Sequence, residues 1–396
     1  MAGISAMGTN YNLPNYTGEL FQLTPSSTPF LSAIGGLSGG GKQTTSTEFE
    51  WQHFDLRTAD QNTKTEGATA PTAEARVRTN GTNVTQIHQE KVSVAYSKLA
   101  AYGQKSGSNN DLLNPITNEL DWQVAQMLKQ IARDVNYSFL QGAYVKPSDN
   151  NTARQTRGLI SAISTNSQDA GTVVSASASL TAATDKVGIS AHGLSNGDQV
   201  VFSSIATTTG ISADTVYFVV NKGTNDFEVS LTKGGTKVDL ATGDGTATVT
   251  KSADLSVDGI EDLLQAVYDS GGIDEQETAT LLVNSSQKRA ISKAYANEYG
   301  KFQESSRTVG GVNVSTVVTN FGTLNVMLDR MVPKHKALVV SLEQCQPVFL
   351  ETLGKGHLFA EPLAKTGSSD DVMLYGELGL AYGNEKSHGL IVGLNV

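Results

Sequence analysis

Between Asn114 and Gly142 the chain carries a pattern that one kind of structure satisfies. Ile116, Leu120, Val124, Met127, Leu128, Ile131, Val135 and Phe139 recur at spacings of three and four, which lines them up on one stripe of an α-helix. Asn114 is a good N-cap, and Pro115 sits at the first helical position, where its missing N–H costs nothing. Gly142 ends the run. A helix over 115–141 is about 40 Å long at 1.5 Å per residue, well beyond the usual globular length. The fold has to be built around this spine.

The rest of the chain reads mostly as β-structure. Gly is abundant at 39 residues, Pro sparse at 9, and Ser, Thr and Asn recur throughout, a mixture that favours strands and turns. Residues 1–29 are polar with scattered Tyr11, Tyr16, Leu20 and Phe21 and read as an arm. Pro29 is placed to open a short helix over 30–34 that Gly35 and Gly36 would end. Residues 45–56, with Phe49, Trp51 and Phe54, have strand composition, and 83–99 predicts a second strand. Between them 57–75 holds no large apolar residue, so it cannot pack on its own subunit's core. Two strands and a core-free tip describe a projecting hairpin. Its charges, Arg57, Asp60, Lys64, Glu66 and Glu74 with Arg76 and Arg78 on the return, are candidate contacts to a neighbouring subunit. Arg154 and Arg157 form a second cationic spot, to be read as a solvated face or as partners for a neighbour's carboxylate.

Gly158-Leu159-Ile160 reads as the start of a strand. From 168 to 252 the composition shifts to Ser, Thr, Gly, Ala, Val and Asp, with apolar runs at 200–202, 216–220 and 227–231. The turn signals Ser195-Asn196-Gly197-Asp198, Lys233-Gly234-Gly235 and Gly243-Asp244-Gly245 separate them. This predicts an inserted all-β domain of sandwich or barrel type. Amphipathic helices follow at 257–268 and 285–295, then strands at 280–283, 312–318, 324–328, 338–342, 372–382 and 389–396. The fold class is α+β.

The chemistry-bearing motifs fail on inspection. Gly36 to Lys42 nearly spells a phosphate-binding loop, but Gln43 stands where a magnesium-binding hydroxyl is needed and a strand-like segment follows instead of a helix. Two G-x-S-x-G matches, at Ser38 and Ser195, lack the strand-to-helix elbow of esterase nucleophiles. Six histidines show no i, i+4 pair, Asp239 and Asp244 lack a calcium loop's ligand series, and Cys345 is alone. No catalytic residue, metal or cofactor is assigned. The net charge of −10 excludes a protein whose main surface grips phosphates. No signal-peptide pattern opens the chain and no apolar run is long enough to span a bilayer, so assembly in the cytoplasm and no membrane partner are expected.

The order of arm, projecting hairpin, spine helix and compact mixed domain resembles the Hong Kong-type capsid fold of tailed-bacteriophage major capsid proteins. The similar words are Ser27-Thr28-Pro29-Phe30-Leu31, Phe49-Glu50-Trp51-Gln52, Asp55-Leu56-Arg57, Glu66-Gly67-Ala68, Asn118-Glu119-Leu120-Asp121 and Arg154-Gln155-Thr156-Arg157-Gly158. The resemblance implies an N-terminal arm at 1–40, an extended loop with its strands at 41–99 and a peripheral domain with the spine helix at 100–167. The inserted β domain takes 168–252, a mainly axial domain 253–360, and 361–396 return to the peripheral domain. The insert resembles small β modules of phage structural proteins through His192-Gly193-Leu194-Ser195-Asn196-Gly197-Asp198. The implied function is a structural subunit of the virion that forms pentamers and hexamers of an icosahedral shell. Portal, scaffolding and decoration proteins are implied partners, and packaged DNA is contacted non-specifically at the inner face. The alternatives are an encapsulin-like nanocompartment shell, or a β-rich phage adhesin or decoration protein.

Overall fold

The computed structural model describes residues 22–37, 41–100, 119–149, 151–241, 243–273, 279–299, 305–309, 312–364 and 367–396. The expected arm before residue 22, Ser38 of the first G-x-S-x-G match and the Asn114-Pro115 helix start lie outside these residues.

Pro29 opens α1 (Pro29–Ala33), which buries Phe30 and Leu31. Then come β1 (Lys42–Thr44), β2 (Glu48–Phe54), β3 (Arg78–Val84), β4 (Gln86–Ala95) and α2 (Tyr96–Ala100). The single strand expected over 83–99 is therefore divided. β3 pairs with β2, whereas β4 leaves for a different sheet and its continuation winds into α2. Thr85 is the pivot: its N–H and hydroxyl both donate to Thr47 O, at 2.8 and 3.2 Å. That bond closes the hairpin and frees β4 for a ten-residue ladder elsewhere.

The spine is α3 (Glu119–Gln141). Ile131, Val135 and Phe139 of the predicted stripe are fully buried, and Val124, Met127 and Leu128 pack partly against the same core. Its last bond is from Gly142 N–H to Ser138 O at 2.9 Å, and only glycine fits there, since a Cβ at 142 would stand 2.3 Å from that oxygen and 2.5 Å from Thr156 O. Gly158 to Ile160 do not begin a strand. They form the single turn α4 (Leu159–Ala162), because Leu159, Ala162 and Ile163 at i, i+3 and i+4 all face the core.

After β5 (Ser167–Asp169) the chain enters a closed six-stranded barrel of β6 (Thr172–Thr181), β7 (Lys186–Gly188), β8 (Gln199–Ala206), β9 (Val216–Val220), β10 (Asp226–Ser230) and β11 (Gly245–Lys251). It has its own interior, with Leu180, Val187, Phe202, Phe227 and Val249 buried. Its first and last residues pair, Thr172 with Lys251. The chain thus enters and leaves at adjacent points.

α5 (Val257–Asp269) follows, capped by Ser256 Oγ, which accepts from Gly259 N at 3.0 Å. Then come β12 (Ala279–Val283), α6 (Ser285–Tyr299), β13 (Ser305–Val309), β14 (Val312–Thr319), β15 (Gly322–Leu328), β16 (Ala337–Ser341), β17 (Gln346–Leu350), β18 (Leu358–Pro362), β19 (Ser369–Ala381) and β20 (Gly389–Val392). They make two sheets. One has the order β13-β14-β15-β12-β16-β20-β5. Ile260, Leu264, Ile291 and Tyr295 of α5 and α6 cover one of its faces, and α1 and the end of α3 cover the other. The second sheet joins β1, β17, β19 and β18, with β4 on the far side of β19, and α3 lies across β4 and β19. A single apolar core beneath α3 therefore unites both sheets.

Two of the connections between the sheets, from β16 to β17 and back from β19 to β20, are tied together by His388. Its Nε2 donates to Tyr382 O at 2.8 Å and its Nδ1 accepts from Ser341 N at 3.3 Å. Both ring nitrogens are satisfied only in the neutral form, since a proton on Nδ1 would face an N–H. Burial pushes this imidazole down from 6.5 to about 4, although Tyr382 O and Glu385 favour the charged form. Below 6.5 the unfolded chain takes up the proton more readily, so stability falls with pH between 6.5 and about 4 and is flat below that. One pKa unit corresponds to about 1.4 kcal/mol, which sets an upper bound of roughly 3–4 kcal/mol. Thermal unfolding between those limits should show this slope, and a His388→Gln variant should show a shallower one. Identical pH profiles would refute the assignment.

Candidate assembly surface

The hairpin grows outward from a polar and aromatic root. β2 and β3 pair in register from Glu48 with Val84 to Phe54 with Arg78 and belong to no larger sheet. Trp51 lies across Gly81, its cross-strand partner, where a Cβ would come within 2.5 Å of the indole nitrogen. The indole donates through Nε1 to Gly383 O at 2.6 Å and meets the Tyr382 ring edge-on, with centroids 4.8 Å apart. Phe49 fills the space over Gly379. The root is thus bolted to the connection that leads back from β19 to β20.

Asn83 secures the other side. Fully buried, it donates through Nδ2 to Leu380 O at 2.7 Å and Arg157 O at 3.1 Å, and accepts at Oδ1 from Arg157 N at 2.8 Å and Val84 N at 2.9 Å. Arg154 and Arg157 belong to this root and not to the tip. The carboxylate that Arg154 meets is Glu377 of its own chain, at 3.0 Å with Glu377 buried. Arg157 donates to Tyr382 Oη at 3.2 Å and stacks 4.2 Å over the Tyr144 ring. These arginines position the hairpin from within the subunit, which neither reading of the sequence anticipated.

Beyond the root support ceases. Residues 55–77 form no strand, and every one of them is exposed. Arg57 pairs with Asp60 at 2.7 Å and reaches Glu74 at 4.0 Å, and Arg76 pairs with Glu74 at 2.8 Å. Lys64 and Glu66 stand on the exposed tip, and Arg78 donates to Gln52 across the ladder at 3.1 Å. The sequence reading missed an apolar trio where tip meets strands: Phe54, Leu56 and Val77 are 62%, 76% and 75% exposed. Their signal was isolated apolar residues flanking a polar run.

The remaining motifs fall elsewhere. Lys42 leads into β1, a strand parallel to β17. Ser195 sits in a turn whose Asp198 carboxylate accepts from Ser195 N at 2.9 Å and pairs with Lys251 at 2.7 Å. Burial pushes the Cys345 thiol up to about 12, which leaves it un-ionised. Among the described residues no three His, Cys, Asp or Glu side chains converge on a metal position, and no helix is long and apolar enough to cross a membrane.

The fold is that of capsid shells. It is similar to the capsid asymmetric unit of cyanophage A-1(L), with a TM-score of 0.53 at 11% identity over 99% of both chains. It is similar to the capsid of a native GTA particle, with a TM-score of 0.52 at 10% identity over all of both chains. A holo-SrpI encapsulin complex from Synechococcus elongatus PCC 7942 also matches, at TM-score 0.50 and 9% identity over 100% of this chain and 97% of that one. Such identities establish the fold, which virion and encapsulin shells share. No curated protein sequence matches. Sequence-family membership separates the readings: the SU10 major capsid protein family model matches residues 3–395, and the chain belongs to that family, whose members are structural subunits of the virion shell and not enzymes.

Proposed function

We propose that the subunit closes its shell through the hairpin, with the tip ordered by a neighbouring subunit within pentamers and hexamers. The observation that carries this reading is a run of 23 exposed residues, 55–77, held on a rigid root, with exposed Phe54 just before it and exposed Leu56 and Val77 near its two ends. Charges at Arg57, Asp60, Lys64, Glu66, Glu74, Arg76 and Arg78 select the register of the contact, and the apolar trio supplies its energy. In this reading 1–40 are the arm, 41–99 the extended loop and 100–167 the peripheral domain. The insert is 168–252, the mainly axial domain 253–360, and 361–396 are the returning strands. A portal, scaffolding proteins and decoration proteins are the partners to look for, and packaged DNA is the content. Negative-stain microscopy of purified protein tests it: closed shells or capsomers are expected, and a stable monomer without particles at high concentration would refute it. Shells filled with a cargo enzyme in place of DNA would favour the encapsulin reading.

The barrel is proposed as a separable lobe. Its ends pair, and its ties to the body are few. Asp214 accepts from His335 at 3.0 Å and from Lys336, and Gln199 exchanges two hydrogen bonds with Val396 at 2.8 and 3.1 Å. Replacing 172–251 by a short Gly/Ser linker should leave shells intact, and the excised barrel should fold alone. An insoluble deletion variant together with an unfolded isolated barrel would sink the proposal.

A further inference from the structure

The barrel and the body keep separate interiors. Among the described residues no apolar cluster includes buried side chains of both, so what joins them is polar. The ties gather first where the chain enters and leaves. Thr172 pairs with Lys251, Ser252 N donates to Gln199 O at 2.9 Å, and Ala170 N donates to Val392 O at 3.0 Å. Ala253 is laced to the 393–396 segment, its N–H donating to Gly393 O at 3.0 Å and its carbonyl accepting from Asn395 N at 2.8 Å. Gln199 completes this pivot through its two bonds to Val396.

A second tie stands apart from the pivot. Asp214 lies in the connection from β8 to β9, its N–H donating to Phe202 O at 3.0 Å and its backbone left-handed at φ 59°, a conformation that Asp and Asn tolerate better than most side chains. Its Oδ1 accepts from His335 Nε2 at 3.0 Å and its Oδ2 from Lys336 Nζ. Both donors belong to the body, and they are 7% and 5% exposed. The His335 carbonyl in turn accepts from Leu394 N at 3.1 Å. Barrel residues Val201, Ala213 and Asp214 face Asp169, Val392 and Gly393 of the body across a cleft of about 290 Å³. Between its two ties, therefore, the barrel is not packed against the body.

We propose that Asp214, His335 and Lys336 form a latch that holds the barrel at one angle to the body, and that opening it lets the barrel swing about the pivot at 170–171 and 252–253. The inference rests on the reading of the barrel as a separable lobe. A buried ammonium without a counter-ion is strongly disfavoured. Neutralising Asp214 therefore drives the swing, because Lys336 regains water only when the barrel moves off it. β6 leaves the pivot at Thr172 and runs ten residues, about 30 Å at the rise of a strand, so the turn beyond it travels farthest.

The test reads the angle as a distance between two spin labels on the full chain, by pulsed electron paramagnetic resonance. Labels go on Thr184→Cys, in the turn beyond β6, and Gln265→Cys, on α5, both exposed positions. Cys345 is buried, with its thiol pushed up to about 12, and stays unlabelled. Dilution with unlabelled protein restricts the signal to pairs within one subunit. The parent should give one narrow distance. Asp214→Asn keeps the shape of the side chain and suits the left-handed backbone, and it should shift the ratio of closed to open barrels about tenfold or more toward open, read as a second, broad population. Adding Lys336→Met should reverse most of that shift, since no buried ammonium is then left to hydrate. A broad distribution in the parent, or one as narrow in Asp214→Asn as in the parent, would overturn the latch. So would an Asp214→Asn chain in which the amides of Val229 and Val249 lose protection from hydrogen exchange, since the contact would then be part of the barrel's own fold. Failure of the excised barrel to fold would count against the separable-lobe reading instead.

Discussion

Replacing residues 55–77, which include Leu56 and Val77, by an Asn-Gly turn between Phe54 and Arg78 is expected to abolish closed shells while shifting the subunit's own melting temperature by no more than about 2 °C. The tip's internal ties are the exposed pairs Arg57 with Asp60 and Arg76 with Glu74, each worth about 1 kcal/mol or less in water. No tip side chain enters a core cluster, so the subunit loses little. Assembly loses much more. Fully burying a side chain such as Phe54, Leu56 or Val77 against a neighbour yields about 1.5–3 kcal/mol, and every subunit of a shell repeats the contact. Leu56→Asp should therefore reproduce most of the assembly defect alone, whereas Glu66→Gln should be nearly silent. A melting curve and a sedimentation profile of the same sample decide the matter. A large fall in melting temperature would place the tip in the subunit's core, and robust shells would remove it from assembly.

The legible parts of this molecule are those whose determinants are local. The α3 stripe, the amphipathic pattern of α5 and the apolar runs that became β8, β9 and β10 lie within short windows. Periodicity and turn chemistry report on such windows directly. What the sequence hid depends on distant partners. β4 and β3 are separated only by Thr85, and their divergence is decided by β19, nearly three hundred residues away. α4 was misread because a short apolar run after glycine suits a strand or a helical turn equally. Its three buried positions are set by the core beneath α3. The root of the candidate site was hidden for the same reason. Nothing around Trp51 foretells Gly383, and Arg154 reads as a surface cation until Glu377 is brought to it.

Asn83→Leu, a substitution of similar volume, is expected to destabilise the subunit by ~4 kcal/mol and to lower its apparent melting temperature by roughly 10 °C at a fixed scan rate. The reason lies in where β4 ends. Its ladder with β19 stops at Gln86 opposite Leu378, and two residues farther on Leu380 has no strand on that side. Side chains take over: Thr156 Oγ1 accepts from Leu380 N at 3.2 Å, and Asn83 Nδ2 donates to Leu380 O at 2.7 Å. Across the other edge Leu380 faces Pro347, which has no N–H to offer. Leucine would deprive Leu380 O of its Asn83 donor and leave Val84 N and Arg157 N without their Asn83 acceptor. Each buried group so stranded costs about 1–3 kcal/mol. Asn83→Asp keeps both acceptances and loses both donations, so it should fall between the two. The damage should also reach assembly, because Asn83 anchors β3 to the 154–157 segment and a loosened root no longer aims the hairpin. Shell yield at a temperature where the variant subunit remains folded separates that effect from simple unfolding. An Asn83→Leu protein that melts within about 2 °C of the parent and assembles normally would show that water or rearranged backbone replaces the amide.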